Sequence, residues 1–227
     1  MSTKSFQEVS VWYWLFKYVL LGPVLRVLGR PEIEGLDQVP RTGPVIIAAN
    51  HLAVIDSLYL ALVLPRRATF LAKQEYFTGT GLRGRFQRWF FSVSGQVPVN
   101  RTGGSAAADA LAAATRILES GGLWAIHPEG TRSPDGRIYR GRTGTLRVAM
   151  ATGAPVIPVV LSGTDRVNPR GARLPRFGKV RISFGAPRYY LPADQHRAAR
   201  TATDELMREM AARSGRHYVD RYAATFR

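Results

Sequence analysis

The feature that most constrains the fold is an alternation of short apolar runs with helical patterns. Val45–Ala49, Thr69–Leu71, Gln96–Val99, Leu123–Ile126, Pro155–Leu161 and Val180–Phe184 have the length and composition of buried strands. Helical spacing marks Ser57–Leu64, Leu82–Phe91, Ala106–Leu118 and Thr143–Ala151. It also marks a surface helix from Ala193 to about Arg213, with Leu206, Met207 and Met210 as its inner residues. Gly121-Gly122 and Gly153 supply stops. Strands that alternate with helices bury both faces of a sheet. The pattern therefore predicts an α/β fold around a central, largely parallel or mixed sheet flanked by helices. The 227 residues suit one such domain.

Charge narrows the partners. Lys and Arg number 32 against 16 Asp and Glu, a formal net charge of +16. Such a balance favours polyanions: nucleic acid, anionic lipid headgroups or phosphorylated substrates. From Arg166 to Arg188 the chain carries Arg166, Arg170, Arg173, Arg176, Lys179, Arg181 and Arg188 with no intervening acid. The absence of cysteine excludes disulfides, thiolate metal sites and cysteine nucleophiles.

Val9 to Leu28 is apolar and aromatic, with Trp12, Tyr13, Trp14, Phe16 and Tyr18 clustered. The run is long enough to span a bilayer. Lys17 and Arg26 interrupt it, however, and Gly22-Pro23 predicts a helix break. Tryptophan and tyrosine prefer the headgroup level. The expectation is two short helical pieces lying in one leaflet, with Lys17 and Arg26 snorkelling outward. Packing of the same residues on the protein's own core is the competing arrangement, and a single tilted span is a lesser one. No small-residue cleavage site follows, which argues against a signal peptide. Residues 1–30 are thus expected to form a membrane-associated helical segment and 31–227 the α/β domain.

Two constellations carry chemistry. Asn50-His51 follows one strand directly, and Asp56-Ser57 opens the next helix. Ligands of open α/β sheets bind at the carboxyl ends of strands. A strand-to-helix turn can fold Asp56 back onto an imidazole nitrogen of His51, leaving the other nitrogen to take a proton from a hydroxyl. Alternatively Asp56 caps the helix and His51 is a turn residue. His127-Pro128-Glu129-Gly130-Thr131-Arg132-Ser133 follows a second strand, and its Pro and Gly constrain a tight turn. That turn presents Glu129, Thr131 and the phosphate-compatible fork of Arg132, or holds a plain Glu129–Arg132 salt bridge. Lys73 and Arg101 also sit at strand ends. With Arg132 they can converge on a phosphate beside His51 if their strands are neighbours.

Taken together, Asn50-His51-x4-Asp56, Gly95-x-Val97-Pro98-Val99-x-Arg101, Pro128-Glu129-Gly130-Thr131-Arg132 and Val156-Ile157-Pro158-Val159 resemble the four ordered blocks of the lysophosphatidic acid acyltransferase family. The resemblance spans roughly Glu34 to Pro187. It implies transfer of a fatty acyl group from acyl-CoA or acyl carrier protein to a lysophospholipid hydroxyl, most simply 1-acyl-glycerol 3-phosphate. Another lysolipid or glycerol 3-phosphate is the alternative acceptor. It implies His51 as general base and Asp56 as its orienting partner. Arg101, Glu129, Gly130, Thr131 and Arg132 would lie in the glycerol-phosphate site, helped by Lys73. Pro158 would belong to the acyl-donor block or to packing. No cofactor is implied beyond the acyl donor, and the partners are the lysophospholipid and an anionic membrane surface.

Two positions depart from the family pattern: His127 replaces a usual phenylalanine, and Ala53 a common serine. With no cysteine and no Gly-x-Ser-x-Gly, transfer is expected to be direct. Gly79-Thr80-Gly81-Leu82-Arg83-Gly84 formally matches a dinucleotide fingerprint but lacks the strand and the acid such a site needs. No spacing among His51, Asp56, His127 and Glu129 specifies a metal. A basic nucleic-acid-binding module, the rival class, accounts for the charge. It leaves the aromatic N-terminus and the His-x4-Asp turn unexplained.

Overall fold

The computed structural model describes residues 11–93, 96–99, 106–172, 174–191 and 195–224. Its strands are β1 (Glu32–Glu34), β2 (Val45–Ala49), β3 (Ala68–Thr69), β4 (Leu71–Lys73) and β5 (Val97–Val99), followed by β6 (Leu123–Ile126), β7 (Ile138–Tyr139), β8 (Val156–Ser162), β9 (Arg181–Phe184) and β10 (Tyr218–Val219). The helices are α1 (Val11–Gly29), α2 (Asp56–Val63), α3 (Glu75–Thr78), α4 (Gly81–Val93), α5 (Ala106–Glu119), α6 (Gly144–Thr152), α7 (Thr164–Val167) and α8 (Gln195–Ser214).

The central sheet runs β1-β9-β8-β2-β6-β3. Every pairing in it is parallel except β8 with β9, so the sheet is mixed. β2 lies between β6 and β8, both parallel to it. A parallel strand in that position must be covered on both faces, and all five of its residues are fully buried. Val45, Ile47 and Ala49 face a core with Tyr59 and Leu60 of α2 and Leu25 of α1. Ile46 and Ala48 face the opposite core with Leu118, Leu146, Met150 and the three inner residues expected on the last helix, Leu206, Met207 and Met210.

The expected strand Thr69–Leu71 is divided between two sheets. β3 pairs with β6, whereas β4 pairs with β5 in a separate parallel ribbon. Between them the Phe70 carbonyl accepts from the Val97 N–H at 3.0 Å, so pairing changes partner at one residue. The edge strand β1 lacks a sequence signal. β1 reads Glu-Ile-Glu and is a strand because it adds to the edge of the sheet beside β9.

The N-terminal segment differs from expectation. α1 is one helix, long and apolar enough to cross a membrane, and the predicted break at Gly22-Pro23 is absent. A π-helical stretch, Phe16–Leu20, takes its place, with the Leu21 N–H returning to the Phe16 carbonyl. Pro23 cannot donate to the preceding turn and its ring crowds that turn; the wider π turn relieves both problems without ending the helix. Gly22 is required there, because a Cβ would lie 1.7 Å from the Lys17 carbonyl oxygen. Lys17 does not snorkel outward. It is buried, donates from Nζ to the Leu64 carbonyl and lies over the rings of Trp14 and Tyr18. Arg26 is exposed. Tyr59 donates its hydroxyl to the Leu25 carbonyl at 3.0 Å, seating α1 on α2.

The Arg166–Arg188 stretch is less bare in space than in sequence. Lys179 and Arg181 both pair with Glu32 of β1, and Arg188 pairs with Glu209 of α8 at 3.1 Å.

Candidate active site

β2 ends at Ala49, and the next residues turn at the carboxyl end of the sheet. Asn50 anchors this turn. Its buried side-chain amide donates to the Leu161 carbonyl at 3.0 Å, and its oxygen accepts from the Leu161 N–H at 2.7 Å. The strand ladder between β2 and β8 is thereby extended by one side chain. His51 follows, and Asp56 begins α2.

The Asp56 carboxylate is fully buried. Oδ2 accepts from the N–H groups of Leu52 (2.6 Å) and Ala53 (2.8 Å) and meets Nδ1 of His51 at 2.9 Å. Asp56 is therefore both the acceptor for its own turn and the partner of the histidine; it does not cap α2, whose N-cap is Ile55. Burial by itself would raise its pKa. The hydrogen bond to His51 leads the interactions that outweigh burial and hold the carboxyl below its ordinary value. The buried Thr164 hydroxyl at the start of α7 faces the same carboxylate without completing a hydrogen bond. An ionised Asp56 fixes the proton of His51 on Nδ1. Nε2 then carries the free lone pair, and 19% of the His51 side-chain surface stays open.

β6 lies beside β2, so its turn meets the first one. Gly130 makes that turn with φ +75°, and a Cβ there would lie 2.9 Å from Nε of Arg142. Its N–H returns to the His127 carbonyl at 3.0 Å. The Ser133 N–H donates to the His51 carbonyl at 2.7 Å. Glu129 points inward: Oε1 accepts from the His51 N–H and Oε2 from the Tyr139 N–H, both at 3.0 Å. Burial drives its pKa up to about 7 against the pull of those two N–H groups. The plain salt bridge with Arg132 is not formed. Thr131 and Arg132 are half-buried, and Arg132 pairs with no carboxylate among the described residues.

His127 is the residue whose role sequence reasoning missed. Its ring stacks on that of His51, with centroids 3.9 Å apart and planes 8° from parallel. Nδ1 lies 3.1 Å from the Ala49 carbonyl and 3.0 Å from that of Asn50, so Nδ1 carries the proton. Nε2 then accepts from the Ser57 hydroxyl at 3.1 Å. Burial, reinforced by the charge of His51, lowers its pKa to about 3 and keeps the ring neutral. The signal available in the sequence was the aromatic position itself, which serves as a stacking plate.

The remaining cations are placed in part. β4 and β5 are parallel neighbours with Lys73 opposite Val99. The Lys73 side chain and Arg101 lie outside the described residues, so their convergence with Arg132 is not part of the observed geometry. No group of metal-ligating side chains occurs among the described residues.

The chain thus has a mixed α/β sheet with a buried carboxylate held against one imidazole at its carboxyl edge. Residues 30–162 match the family model described as Acyltransferase, and the chain belongs to that family. It is 30% identical over 167 residues to a chloroplastic 1-acyl-sn-glycerol-3-phosphate acyltransferase of Brassica napus, covering 73% of this chain and 47% of that one. It is 32% identical over 165 residues to its namesake from Arabidopsis thaliana, covering 72% and 45%. The chain thus spans about half the length of the curated relatives it matches. Its fold is that of the 1-acyl-sn-glycerophosphate acyltransferase of Thermotoga maritima, with a TM-score of 0.69 over 96% of this chain and 85% of that one at 23% identity.

Proposed function

We propose that the protein transfers a fatty acyl group from an acyl thioester, acyl-CoA or acyl carrier protein, to the free hydroxyl of 1-acyl-glycerol 3-phosphate. The observation that carries this reading is the His51–Asp56 pair, with Nε2 of His51 unengaged among the described residues at the carboxyl edge of the sheet, in a member of the Acyltransferase family. The acceptor comes from the names of the relatives, 1-acyl-sn-glycerol-3-phosphate acyltransferases.

In this mechanism His51 Nε2 takes the acceptor's hydroxyl proton as that oxygen attacks the thioester carbonyl. Asp56 steadies the imidazolium that forms. The tetrahedral oxyanion collapses with cleavage of the C–S bond, and the proton passes from His51 to the departing thiolate. An ester and a free thiol result, and the enzyme is unchanged. Backbone N–H groups of the Pro128–Thr131 turn are candidate oxyanion donors. Arg132, with Lys73 and Arg101, supplies charge for the acceptor phosphate. Glu129 acts from behind: it holds the backbone of His51 rather than the substrate, because a carboxylate would repel a phosphate. Thr131 and Gly130 shape the turn that carries Arg132. Residues 1–30 form a membrane-associated segment and 31–227 the acyltransferase domain, a peripheral or monotopic protein of a cytoplasmic membrane face.

The test is thioester consumption over a panel of acceptors and both donor types, with His51→Ala as control. Preference for 1-acyl-glycerol 3-phosphate, abolished in the variant, is the expected result. Near-normal turnover by His51→Ala removes the general-base assignment. No thioester consumption with any acceptor removes the acyltransferase reading.

A further inference from the structure

The helix α4 carries chemistry that the His–Asp site does not use. It reads Gly-Leu-Arg-Gly-Arg-Phe-Gln-Arg-Trp-Phe-Phe-Ser-Val, with no acidic residue. Leu82, Phe86 and Trp89 are spaced i, i+4, i+7 and therefore share one face. On an ordinary surface helix that face would be turned to the core. Here Leu82 is 88% exposed, Phe86 63% and Trp89 38%.

The helix is seated by its other side. Phe91 stacks on Tyr76 at 4.7 Å and packs against Phe77. Gly84 lies so close to Gly79 that a Cβ would come within 2.3 Å of the Gly79 carbonyl carbon. Gly79 and Gly84, two glycines of the fingerprint-like run, thus permit this close approach. The Leu82–Phe86–Trp89 face is left outward, with the exposed Arg85 and Arg88 beside it.

This face continues onto α1. Trp12 meets Trp89 edge-on at 5.3 Å, and Phe16 contacts Trp89 and Phe90, each at 5.5 Å. α1 itself exposes Val19, Val24 and Val27.

We propose that Gly81–Val93 is a second membrane-docking helix, lying in the plane of an anionic bilayer surface. Leu82, Phe86 and Trp89 enter the acyl boundary, while Arg85 and Arg88 engage lipid phosphates. An amphipathic helix with large apolar residues on one face and arginines at its flank is the composition that binds such a surface. The charge argues against a second copy as the occupant: the chain is at +16, and this face offers a like-charged copy no acid.

One consequence rests on the acyltransferase reading. α4 connects the strand of Lys73 to β5, which Arg101 follows by two residues. Docking of α4 brings the two strands that flank it, β4 and β5, to the headgroup layer, where a lysophospholipid presents its phosphate.

The test is co-sedimentation of the full chain with phosphatidylcholine vesicles, with and without phosphatidylglycerol. A Leu82→Asp/Phe86→Asp variant should partition onto both vesicle types at least about tenfold more weakly. An Arg85→Ala/Arg88→Ala variant should lose the preference for the anionic vesicles. Unchanged thermal melting shows that each variant folds. Wild-type-like binding by the aspartate variant overturns the proposal, as does absence of binding by the wild type. A change from dimer to monomer without vesicles, with vesicle binding intact, also overturns it and assigns the face to a second copy. Thioester turnover on a short-chain acceptor below its micelle concentration reads the acyltransferase assignment separately: its absence beside intact vesicle binding removes that reading and leaves the docking helix.

Discussion

The two turns that build the site leave neighbouring strands and point their chemistry in opposite directions. The turn after β2 presents His51 outward and buries the aspartate that orients it. The turn after β6 buries its own acid, Glu129, on the backbone of the first turn, and leaves Thr131 and Arg132 half-open. In the proposed mechanism one turn acts and the other holds. Two acids of equal prominence in the sequence thus do different work. Asp56 is kept low in pKa by its histidine partner despite burial, whereas burial pushes Glu129 up to about 7.

The sharpest break of this comparison lies in the acting turn. His51→Ala should lower kcat by about 10³-fold or more, since general-base catalysis contributes of that order, with the fold retained and a lower thermal midpoint, because the buried Asp56 loses its partner. Asp56→Asn should lower kcat by about 10²-fold or more through the wrong tautomer. It should also weaken the turn, because Oδ2 alone takes all three contacts and a neutral amide oxygen accepts more weakly than a carboxylate oxygen. Equal kcat for Asp56→Asn and wild type would detach Asp56 from the mechanism.

The holding turn gives the next effect. Glu129→Gln places an amide N–H₂ against one of two backbone N–H groups, which should cost about 1–3 kcal/mol. It should also let His51 drift, lowering kcat by roughly ten- to a hundredfold. The sign of its pH dependence follows from the pKa. Folded Glu129 binds its proton more tightly than the unfolded residue, with about 7 against 4.5. Its contribution is therefore full below about pH 4.5 and is lost as pH rises through 7, by about 3 kcal/mol. Denaturant titrations between pH 5 and 8 should show this decline in the wild type and a flatter line in Glu129→Gln. Parallel lines would mean that Glu129 does not titrate in this window.

How much of this was legible depended on distance along the chain. The His51–Asp56 contact spans five residues, and a strand-to-helix turn sufficed to foresee it. The alternating strands and the inner residues of the last helix followed from local periodicity. Glu129 could not be placed, because its partners are backbone groups of His51 and Tyr139, and reaching His51 requires β2 and β6 to be neighbours. Lys17 looked like a snorkelling cation because its acceptor, the Leu64 carbonyl, lies 47 residues away. The arginine-rich stretch looked unopposed because Glu32 and Glu209 come from β1 and α8. Periodicity reports which face is buried, not which strand stands next to which.

A smaller effect sits on the open part of the holding turn. Arg132→Ala should raise the KM for a phosphate-bearing acceptor by about tenfold, the worth of one charge-assisted hydrogen bond, with little change in kcat. A matched acceptor without the phosphate should show no difference between variant and wild type. An equal KM increase for both acceptors would place Arg132 in the fold of the turn rather than at the phosphate.

The smallest effect on turnover, and the finest probe of how the two turns meet, belongs to His127. Phenylalanine keeps a flat ring against His51, so kcat of His127→Phe at neutral pH should stay within about threefold of wild type. Stability should separate them. The variant loses the donor to Ala49 and Asn50 and the acceptor for Ser57, which lowers its thermal midpoint near pH 7. In acid the order of sensitivity reverses. Neutral His127 has a folded pKa of about 3, against an ordinary value of 6.5. Its contribution is full above about pH 6.5 and is lost as pH falls toward 3, because the unfolded chain takes up a proton that the folded one refuses. At pH 4.5 that loss amounts to about 3 kcal/mol. The wild type should therefore lose more stability than His127→Phe between pH 7 and 4.5. Equal losses would mean that His127 is charged in the folded protein, and a stacked imidazolium would then compete with His51 for Asp56 instead of buttressing it.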